Sequence, residues 1–373
     1  MVNKIEEEEK NKMNLLLITQ KVDKNDDILG FVHGWIEEFS KNVEKLTIIC
    51  LQGGEYNFSS NVQVFSLGKP TQGWPASDWE RLFCKLKALV SFYKYIFKLR
   101  KEYDAVFVHM NKEYVLLGGL FWRVMGKKIL MWYNHIFGNF STRIAIFFSN
   151  IVLHTSPHAF TACFHKSRIM PAGINTNVFR KNKNIEKNSQ SLLFVGRISP
   201  IKKVDILFKA VDILREEGKQ IFVEIYGEPF SDSDENYLNE IKREFKHLID
   251  GGFIKLCGSL PNYKTPDVYN KNEIFINLTN SGSLDKTTLE AMSCETLVLV
   301  SNKSFEDIFS NKMKGILMFE ENNYYDLSEK IKNLLDISQD KKVTIASEMR
   351  QLVLKKHSLE KMIEKTIKYA FNL

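Results

Sequence analysis

An alternation of apolar strands and a short helix at residues 273–301 constrains this chain more than any other feature. The run EIFINLT at 273–279 is rich in Ile and Phe and predicts a buried strand. Small residues at 280–283 predict a turn, residues 285–292 a helix, and residues 296–301 another apolar strand. This order predicts a parallel sheet, with the helix N-terminus at the carboxyl end of the first strand.

That helix N-terminus is a candidate phosphate site. Open α/β sheets bind ligands at the carboxyl ends of their strands, and free N–H groups there favour phosphate. Glu290 lies one to two turns into the predicted helix, where its carboxylate is suited to hold a ribose diol. The same pattern also fits a unit without a ligand, in which Glu290 forms an exposed ion pair with Lys286 worth about 0.3–0.5 kcal/mol. The residues alone leave both interpretations open.

Length and composition indicate a globular protein. The chain has 373 residues, enough for two domains, and its 44% apolar and 12% aromatic fractions support large packed cores. The net charge of +7 suits anionic substrates or an anionic membrane surface, but a solvated basic surface is the simpler interpretation, and the charge alone does not predict nucleic-acid binding. Five cysteines without C-x-x-C spacing predict free thiols in a reducing compartment and no zinc site.

The sequence shows no recognisable signal peptide or membrane span and therefore predicts a cytoplasmic protein. Peripheral contact at the inner face of the membrane is a further option. Residues 1–12 are charged, lack the apolar core of a signal peptide, and predict a disordered lead-in. No apolar run reaches the roughly 18–20 residues that a membrane span needs. The segment 79–103 combines an apolar side with many lysines, which suits either a helix on anionic lipid or a core helix with a solvated face.

Strand and helix patterns alternate along the rest of the chain. Further strands are predicted at residues 14–20, 46–51, 62–67, 104–110, 128–133, 151–155, 191–196, 222–226, 253–257 and 315–320. Helices are predicted within 28–46 and at 79–103, 114–125, 204–217, 235–248, 322–337, 340–357 and 359–371. This alternation predicts an α/β fold with parallel sheets and right-handed crossovers.

The stretch at 288–301, TLEAMSCETLVLVS, resembles the carboxyl-terminal signature of the retaining family 4 glycosyltransferases, which have the GT-B fold. The usual pattern is Glu, seven residues, a second Glu, then Ala-Met-Ala-Cys-Gly and a strand. Glu290 matches the second Glu, whereas Gly282 stands at the position of the first and Glu295 at that of the Gly. Because the family's first Glu normally touches the donor sugar, Asp285, the nearest carboxylate, is the candidate to replace it.

A second match, FVGRISPIKKVDIL, starts at residue 194. The family pattern of Gly, Arg, an apolar residue, three residues and Lys before a helix is met by Gly196, Arg197, Ile198 and Lys202. Two cations in a loop after a strand can neutralise a diphosphate, each charge-assisted contact being worth roughly 1.5–3 kcal/mol. Without the family pattern, a basic loop is most often only solvated.

The resemblance implies a GT-B fold with two Rossmann-like domains whose parallel sheets face each other across a cleft. Residues 168–180 match the family's closing element of the first domain through Pro171, Gly173, Asn175 and Phe179. The expected organisation is an N-terminal, acceptor-side domain at 13–180, a polar linker at 181–190, a donor-binding domain at 191–357, and a helix at 358–373 that returns to the first domain.

The resemblance also implies site residues. The expected catalytic residues are His135, Asp285, Arg197 and Lys202. The expected donor-binding residues are Arg197, Lys202, Gly227, Leu260, Ser283, Leu284, Lys286, Thr287 and Glu290. The expected acceptor or cleft residues are Gly30, His33 and His109. His33 is equally well explained as a packed core histidine, and His109 competes with His135 for the place beside the sugar.

The implied activity is that of a retaining hexosyltransferase. It would move a sugar from a UDP- or GDP-sugar to a glycan or lipid-linked acceptor, in surface polysaccharide or glycoconjugate synthesis. No metal or other cofactor is expected, because Arg197 and Lys202 would carry the phosphate charge. Two alternatives stay open: a GT-B sugar-nucleotide epimerase or hydrolase, and an inactive GT-B binding subunit, which the missing first Glu motivates.

Overall fold

The computed structural model describes residues 13–70, 74–282 and 284–371, which form two compact α/β units. The first unit contains the described residues up to Gly173 together with those from Leu359 onward, and the second is Ile174–Ser358. The segment at 181–190 groups with the second unit. The predicted lead-in at 1–12 and Ser283 lie outside the described residues.

The first unit is built on a seven-stranded sheet in which every pairing is parallel. Its strands are β1 (Asn14–Val22), β2 (Lys45–Gly53), β3 (Val62–Ser66), β4 (Ala105–His109), β5 (Lys128–Trp132), β6 (Ile151–His154) and β7 (Ser167–Ile169), in the order β3-β2-β1-β4-β5-β6-β7. The central strands are nearly continuous apolar runs because both faces of the sheet are covered.

Helices cover both faces of this sheet. Helices α1 (Phe31–Ser40) and α13 (Leu359–Phe371) pack on the face that carries Leu15 and Leu17 of β1. The opposite face, with Leu16 and Ile18, is covered by α2 (Asp78–Lys98), α3 (Lys112–Val124) and α4 (Phe140–Phe148). Alternate residues of one strand therefore supply two separate cores.

The second unit has a five-stranded, all-parallel sheet. Its strands are β8 (Ser191–Val195), β9 (Phe222–Tyr226), β10 (Ile254–Leu256), β11 (Ile274–Asn277) and β12 (Leu297–Val300), in the order β10-β9-β8-β11-β12. Its helices are α5 (Val204–Glu216), α6 (Asp232–Glu244), α7 (Lys246–Asp250), α8 (Thr265–Lys271), α9 (Lys286–Ser293), α10 (Asn311–Leu317), α11 (Tyr324–Asp336) and α12 (Gln339–Lys356). The chain runs outward from β8 on one side and returns to β11 on the other, so the strand order reverses between these two strands.

The predicted α/β class, with parallel sheets in two Rossmann-like domains, is confirmed. The strand predicted at 315–320 is wrong. Residues 311–317 form helix α10, and Met318 contributes only an isolated bridge to Val300. The Ser310 side chain caps this helix by accepting from the Met313 N–H, and the buried pair Met313 and Leu317 has the four-residue spacing of a helix face.

Several helices also differ from the sequence prediction. The helix predicted at 235–248 is divided into α6 and α7 at Phe245, and it starts earlier because the Ser231 side chain accepts from the Asp234 N–H. Helix α4 was not predicted, although its capping box is visible in the sequence. Asn139 accepts from the Thr142 N–H, and the Thr142 hydroxyl accepts from the Asn139 N–H.

Candidate functional site

The loops that follow β8 and β11 meet where the strand order of the second sheet reverses. Lys202, from the loop after β8, donates through Nζ to Asp285 Oδ2 at 2.7 Å and to Thr279 Oγ1 at 3.2 Å. Thr279 and Asp285 both belong to the connection between β11 and α9. Ligands of open α/β sheets bind outside the carboxyl ends of the strands at such a reversal, so these loops form the candidate site of the second unit.

Asp285 is fully engaged by protein groups. Its carboxylate accepts from Lys202, from Asn277 Nδ2 at 3.1 Å and from Thr279 Oγ1 at 3.1 Å. It also accepts from the Thr287 hydroxyl at 2.9 Å and the Thr287 N–H at 3.3 Å, which caps helix α9. Five donors fill the roughly four lone-pair sites of a carboxylate, so in this structure Asp285 holds Lys202 and the helix end.

The charge state of Asp285 follows from this environment. Burial raises the pKa of its carboxyl, but the Lys202 ammonium and the bonds from Thr287 and Thr279 outweigh burial and lower the pKa to about 2. Asp285 is therefore ionised at neutral pH. Its carboxylate holds the Lys202 ammonium beside the carboxyl ends of β8 and β11, where the strand order reverses.

Glycines follow three neighbouring strands of the second sheet and allow their backbones to approach closely at this edge. Gly196, Gly227 and Gly258 follow β8, β9 and β10, and all three have positive φ, at 156°, 142° and 73°. The Gly227 N–H donates to the Gly258 carbonyl at 2.8 Å, and a Cβ on Gly227 would lie 2.0 Å from the Gly196 carbonyl oxygen. Only glycine fits this close backbone approach, which leaves the space above the strand ends to side chains from the loops.

Arg197 follows Gly196 and carries the second cation of this loop. Its side chain is 40% exposed, and its Nε lies 3.9 Å from the buried Asp234 Oδ2. The neighbouring Ile198 N–H donates to the Glu228 carbonyl at 3.2 Å, which ties the loop to the segment after β9. Arg197 therefore presents an exposed guanidinium on an anchored loop.

Glu290 is buried on helix α9 beneath the loop that follows β10. Tyr269 OH donates to Glu290 Oε2 at 3.2 Å, and Asn262 Nδ2 donates to Oε1 at 3.3 Å. The pKa of Glu290 is raised, because the effect of burial outweighs the lowering by Lys286 and by these two hydrogen bonds. The exposed ion pair considered from the sequence is wrong, because Glu290 is almost completely covered.

The remaining predicted donor residues of the second unit lie around the same helix start. Leu260 belongs to the loop that ends at Asn262, next to Glu290. Leu284 is buried immediately before the helix. Lys286 is half-buried one turn before Glu290. Its pKa is lowered, because burial outweighs the opposite effect of the Glu290 carboxylate.

The turn before helix α9 contains Gly282, where the family pattern has its first Glu. Gly282 has a φ of 146°, a conformation that a residue with a Cβ rarely adopts. The adjacent Ser281 donates through its N–H to Glu321 Oε1 at 2.7 Å, and its hydroxyl bonds the same oxygen. The backbone of this turn is thus suited to glycine and tied to Glu321.

In the first unit, His109 and Gly30 lie close to the same aromatic cluster. His109 ends β4 and is buried, with Nδ1 at 3.3 Å from Thr19 Oγ1 and its ring among those of Trp35 and Trp132. Gly30 precedes helix α1, is buried, and has an ordinary helical φ of −55°. His109 is thereby part of a packed core at a strand end.

His33 and His135 differ in exposure. His33 lies on α1 and stacks on Phe58 at 4.4 Å between ring centroids, and burial lowers its pKa while Glu37 raises it. His135 is exposed in the loop after β5, with its ring 5.0 Å from that of Tyr133 and its carbonyl accepting from the Phe160 N–H. Of the four unit-one candidates, His135 is the one whose side chain is presented to solvent.

Four site residues were missed by sequence reasoning: Thr279 and Asn277, which bond Asp285, and Asn262 and Tyr269, which bond Glu290. Asn277 and Thr279 lie at the end of an apolar strand, and polar residues at the carboxyl end of a buried strand are a usable signal. Asn262 and Tyr269 lie in the segment 258–269, which resembles the family's base-lining segment, but their bonds to Glu290 depend on how the fold brings this segment over helix α9.

A family comparison assigns the second unit. The model of the family described as "Glycosyl transferases group 1" matches residues 175–366, which is more than half of the chain. The chain belongs to the glycosyl transferases group 1 family. The family match contains every site residue described for the second unit. None of the curated proteins compared with the chain matches it.

Solved glycosyltransferase structures share the whole fold. HepE from Anabaena, in complex with UDP, aligns with a TM-score of 0.74 at 14% identity, covering 97% of this chain and 100% of that one. Sucrose-phosphate synthase from Thermosynechococcus elongatus gives 0.74 at 14% identity, covering 95% and 98%. TarM gives 0.73 at 11% identity, covering 96% and 99%. At these identities the similarity establishes the GT-B fold of this glycosyltransferase.

Three general features complete the description. Cys50, Cys84, Cys163, Cys257 and Cys294 are all free, as predicted. Within the described residues, no group of three or more His, Cys, Asp or Glu side chains is placed to hold a metal ion. In the same part of the chain, no helix combines the length and the apolar character needed to cross a membrane.

Proposed function

We propose that this glycosyltransferase is a retaining hexosyltransferase of family 4 that uses a UDP-sugar as donor. Its acceptor would be a glycan or lipid-linked sugar in surface polysaccharide or glycoconjugate synthesis. The UDP complexes of HepE and TarM support UDP ahead of GDP. The observation that carries the proposal is the bond from Lys202 to Asp285, which fixes a cation at the reversal of the donor sheet.

In this proposal the diphosphate of the donor lies over the glycine-lined strand ends of the second unit. Arg197 and Lys202 neutralise the charge that develops on the leaving diphosphate, an electrostatic contribution that dominates many transfer reactions. The N-terminus of α9, with Lys286, would face the same phosphates. Thr287 would act through Asp285, because its N–H and hydroxyl both donate to that carboxylate. Because protein cations carry this charge, no metal is needed.

Glu290 would accept hydrogen bonds from the ribose hydroxyls, with Leu260 beside the base. Asp285 would act by positioning Lys202 and the helix start, since its own carboxylate is filled by protein donors. His135 is the proposed partner of the hexose because it is exposed at a strand end, whereas His109 and His33 are packed. The acceptor would attack from the face of the leaving group, without a protein nucleophile.

The proposal is tested by incubating the purified protein with UDP-glucose, UDP-N-acetylglucosamine and their GDP counterparts, with and without a mixture of oligosaccharide and lipid-linked acceptors. UDP release that requires an acceptor, with an α-linked product by NMR, is the expected result. Donor breakdown without acceptor would identify a hydrolase or epimerase. A β-linked product would refute retention.

One observation favours a second candidate, an inactive binding subunit. The turn at Gly282 is built for glycine, so a Glu side chain at this position would require a different backbone. The subunit role is favoured over catalysis if the wild type binds UDP but transfers no sugar, and if Gly282→Glu transfers none either.

A further inference from the structure

The outer surface of helices α2, α3 and α4 in the first unit exposes an unusual amount of apolar side chain. We call it the exposed apolar face. Its members are Trp79, Leu82, Phe83, Leu86, Val90, Phe97, Leu120, Phe121, Val124, Phe140 and Phe147. The inner faces of the same helices bury a separate set that includes Ala88, Phe92 and Ile96. These helices therefore carry apolar side chains on two sides, of which the core uses one.

On α2 the exposed residues form one stripe. Trp79, Phe83, Leu86 and Val90 follow one another at intervals of four, three and four residues, which places them on one side of a helix. They are 82%, 70%, 50% and 67% exposed. The Phe97 ring lies 5.1 Å from that of Phe121, so the stripe continues onto α3.

The other helix layer of the same unit shows that this exposure is not imposed by the fold. Helices α1 and α13 bury their apolar residues against the sheet. Within the described residues of these two helices, no large apolar side chain is exposed. Their outer surfaces carry charged residues such as Glu364 and Lys365. The exposed apolar face thus distinguishes one side of the first unit.

The exposed apolar face is also basic. Helices α2, α3 and α4 contain eight Lys and Arg residues against three Asp and Glu, a net charge of +5. Lys87 follows Phe83 and Lys94 follows Val90 by four residues, so both lysines border the apolar stripe. Lys87, Lys94 and Lys98 are exposed, and no ion pair joins them to another described residue. An apolar stripe with a lysine border matches the interface of an anionic bilayer, where rings enter the headgroup region and ammonium groups meet lipid phosphates.

We propose that the exposed apolar face is a docking surface for an anionic lipid bilayer and that the first unit lies on the membrane through α2. A second copy of the chain fits less well, because a symmetric dimer through this face would set its +5 charge against itself. The inference rests on the surface of the first unit alone, so it stands or falls independently of the proposed donor site.

The test uses the full chain and sedimentation with vesicles of phosphatidylcholine alone or with about one-third phosphatidylglycerol. The wild type is expected to bind the anionic vesicles, and the Trp79→Ser/Phe83→Ser/Val90→Ser variant to lose roughly tenfold or more in affinity. The Lys87→Gln/Lys94→Gln/Lys98→Gln variant should lose most of its binding to anionic vesicles when both proteins are compared at low salt. Matched controls are Phe230→Ser, exposed in the second unit, and Lys361→Gln/Lys365→Gln/Lys368→Gln on α13.

A second readout locates the contact. Lipids brominated in the acyl chain should quench wild-type tryptophan fluorescence, and Trp79→Phe should reduce this quenching more than Trp74→Phe, because Trp79 is 82% exposed and Trp74 is half-buried. The other three tryptophans, Trp35, Trp122 and Trp132, are buried. Three results would overturn the proposal: no wild-type binding to anionic vesicles, equal binding by the apolar triple variant, or a wild-type dimer that this variant converts to a monomer. Far-ultraviolet circular dichroism of each variant confirms folding, and UDP binding reports separately on the donor site.

Discussion

At the scale of single residues, Asp285 lies where the family resemblance placed it, but its hydrogen bonds give it a different role from the expected sugar contact. The sequence resemblance placed Lys202, Asp285 and Glu290 near one another, and the structure brings them to the strand reversal of the second unit. It did not predict that the Asp285 carboxylate is filled by five protein donors, because Asn277 and Thr279 reach it only through the bend of the loop after β11. Hydrogen-bond saturation is a property of three-dimensional geometry that spacing along a chain does not contain.

Replacing Asp285 with Asn should weaken both the fold and the site. Asp285 has a folded pKa of about 2 against an ordinary 3.8, so its charge contributes about 2 kcal/mol that is present above pH 4 and lost as the pH falls towards 2. Asp285→Asn should therefore lower the free energy of unfolding by about this amount at pH 7. Because Lys202 loses its partner, we expect UDP to bind roughly tenfold more weakly.

The control for Asp285→Asn is Asp336→Asn, which removes an exposed carboxylate 3.8 Å from Lys219. Urea unfolding gives the free energy, and calorimetry gives the UDP affinity. Equal stability and equal UDP affinity in wild type and Asp285→Asn would contradict the positioning role.

His357 should make the protein sensitive to mild acid. Burial, with a smaller effect from Lys356, lowers the pKa of His357 to about 4. The unfolded chain therefore takes up a proton near pH 6.5 and the folded chain only near pH 4. Stability from this group should fall between these values as the pH is lowered, by about 3 kcal/mol in total.

The measurement is urea unfolding at about pH 7 and about pH 4.5. His357→Gln should lose less stability between the two conditions than the wild type, and the exposed control His158→Gln should lose the same amount as the wild type. A wild-type loss that His357→Gln leaves unchanged would assign the acid sensitivity to other groups.

At the scale of elements, segments with a regular apolar period were predicted best. The strand Phe222–Tyr226 and the helix Leu359–Phe371 agree with their predicted bounds, because their apolar residues recur with the period of a strand and of a helix. The segment at 315–320 was mistaken for a strand because an apolar run that starts inside a helix carries no periodicity of its own. The glycines after β8, β9 and β10 were visible in the sequence, but their contact across neighbouring strands was not.

Gly227→Ala should disturb the edge of the second sheet at which we propose that the donor binds. The new Cβ would lie 2.0 Å from the Gly196 carbonyl oxygen at a φ of 142°, so the loop that carries Arg197 and Lys202 must move. We expect a loss of roughly 3 kcal/mol of stability and no measurable UDP binding.

Gly218→Ala is the matched control for Gly227→Ala. It has a φ of 80° but no atom within 4 Å of the new Cβ, so it carries only the backbone cost of about 1–2 kcal/mol. Thermal unfolding with and without UDP distinguishes the two variants. Normal UDP binding by Gly227→Ala would show that the glycine contact does not shape the site.

At the scale of the whole molecule, the chain is two Rossmann-like units with the last helix in the core of the first. Met362 and Ile363 of α13 are completely buried beside Trp35, so the chain closes on the unit in which it began. The strand and helix alternation predicted two α/β units, whereas the return of the last helix to the first unit was expected from the family resemblance. It left the exposed apolar face unassigned, since an amphipathic pattern does not show which of two apolar sides the core will use.

The most direct test of the central claim is donor binding at the Lys202 position. A thermal-shift panel of UDP-, GDP-, ADP- and CMP-sugars would compare the wild type with Lys202→Ala and with Lys209→Ala, which breaks an ion pair with Asp205 on helix α5. A donor at about 100 times its Kd adds roughly 2.7 kcal/mol, or a few degrees. The account predicts a shift with UDP-sugars in the wild type and Lys209→Ala that is lost in Lys202→Ala. An undiminished shift in Lys202→Ala, or no shift with any nucleotide in the wild type, would contradict it.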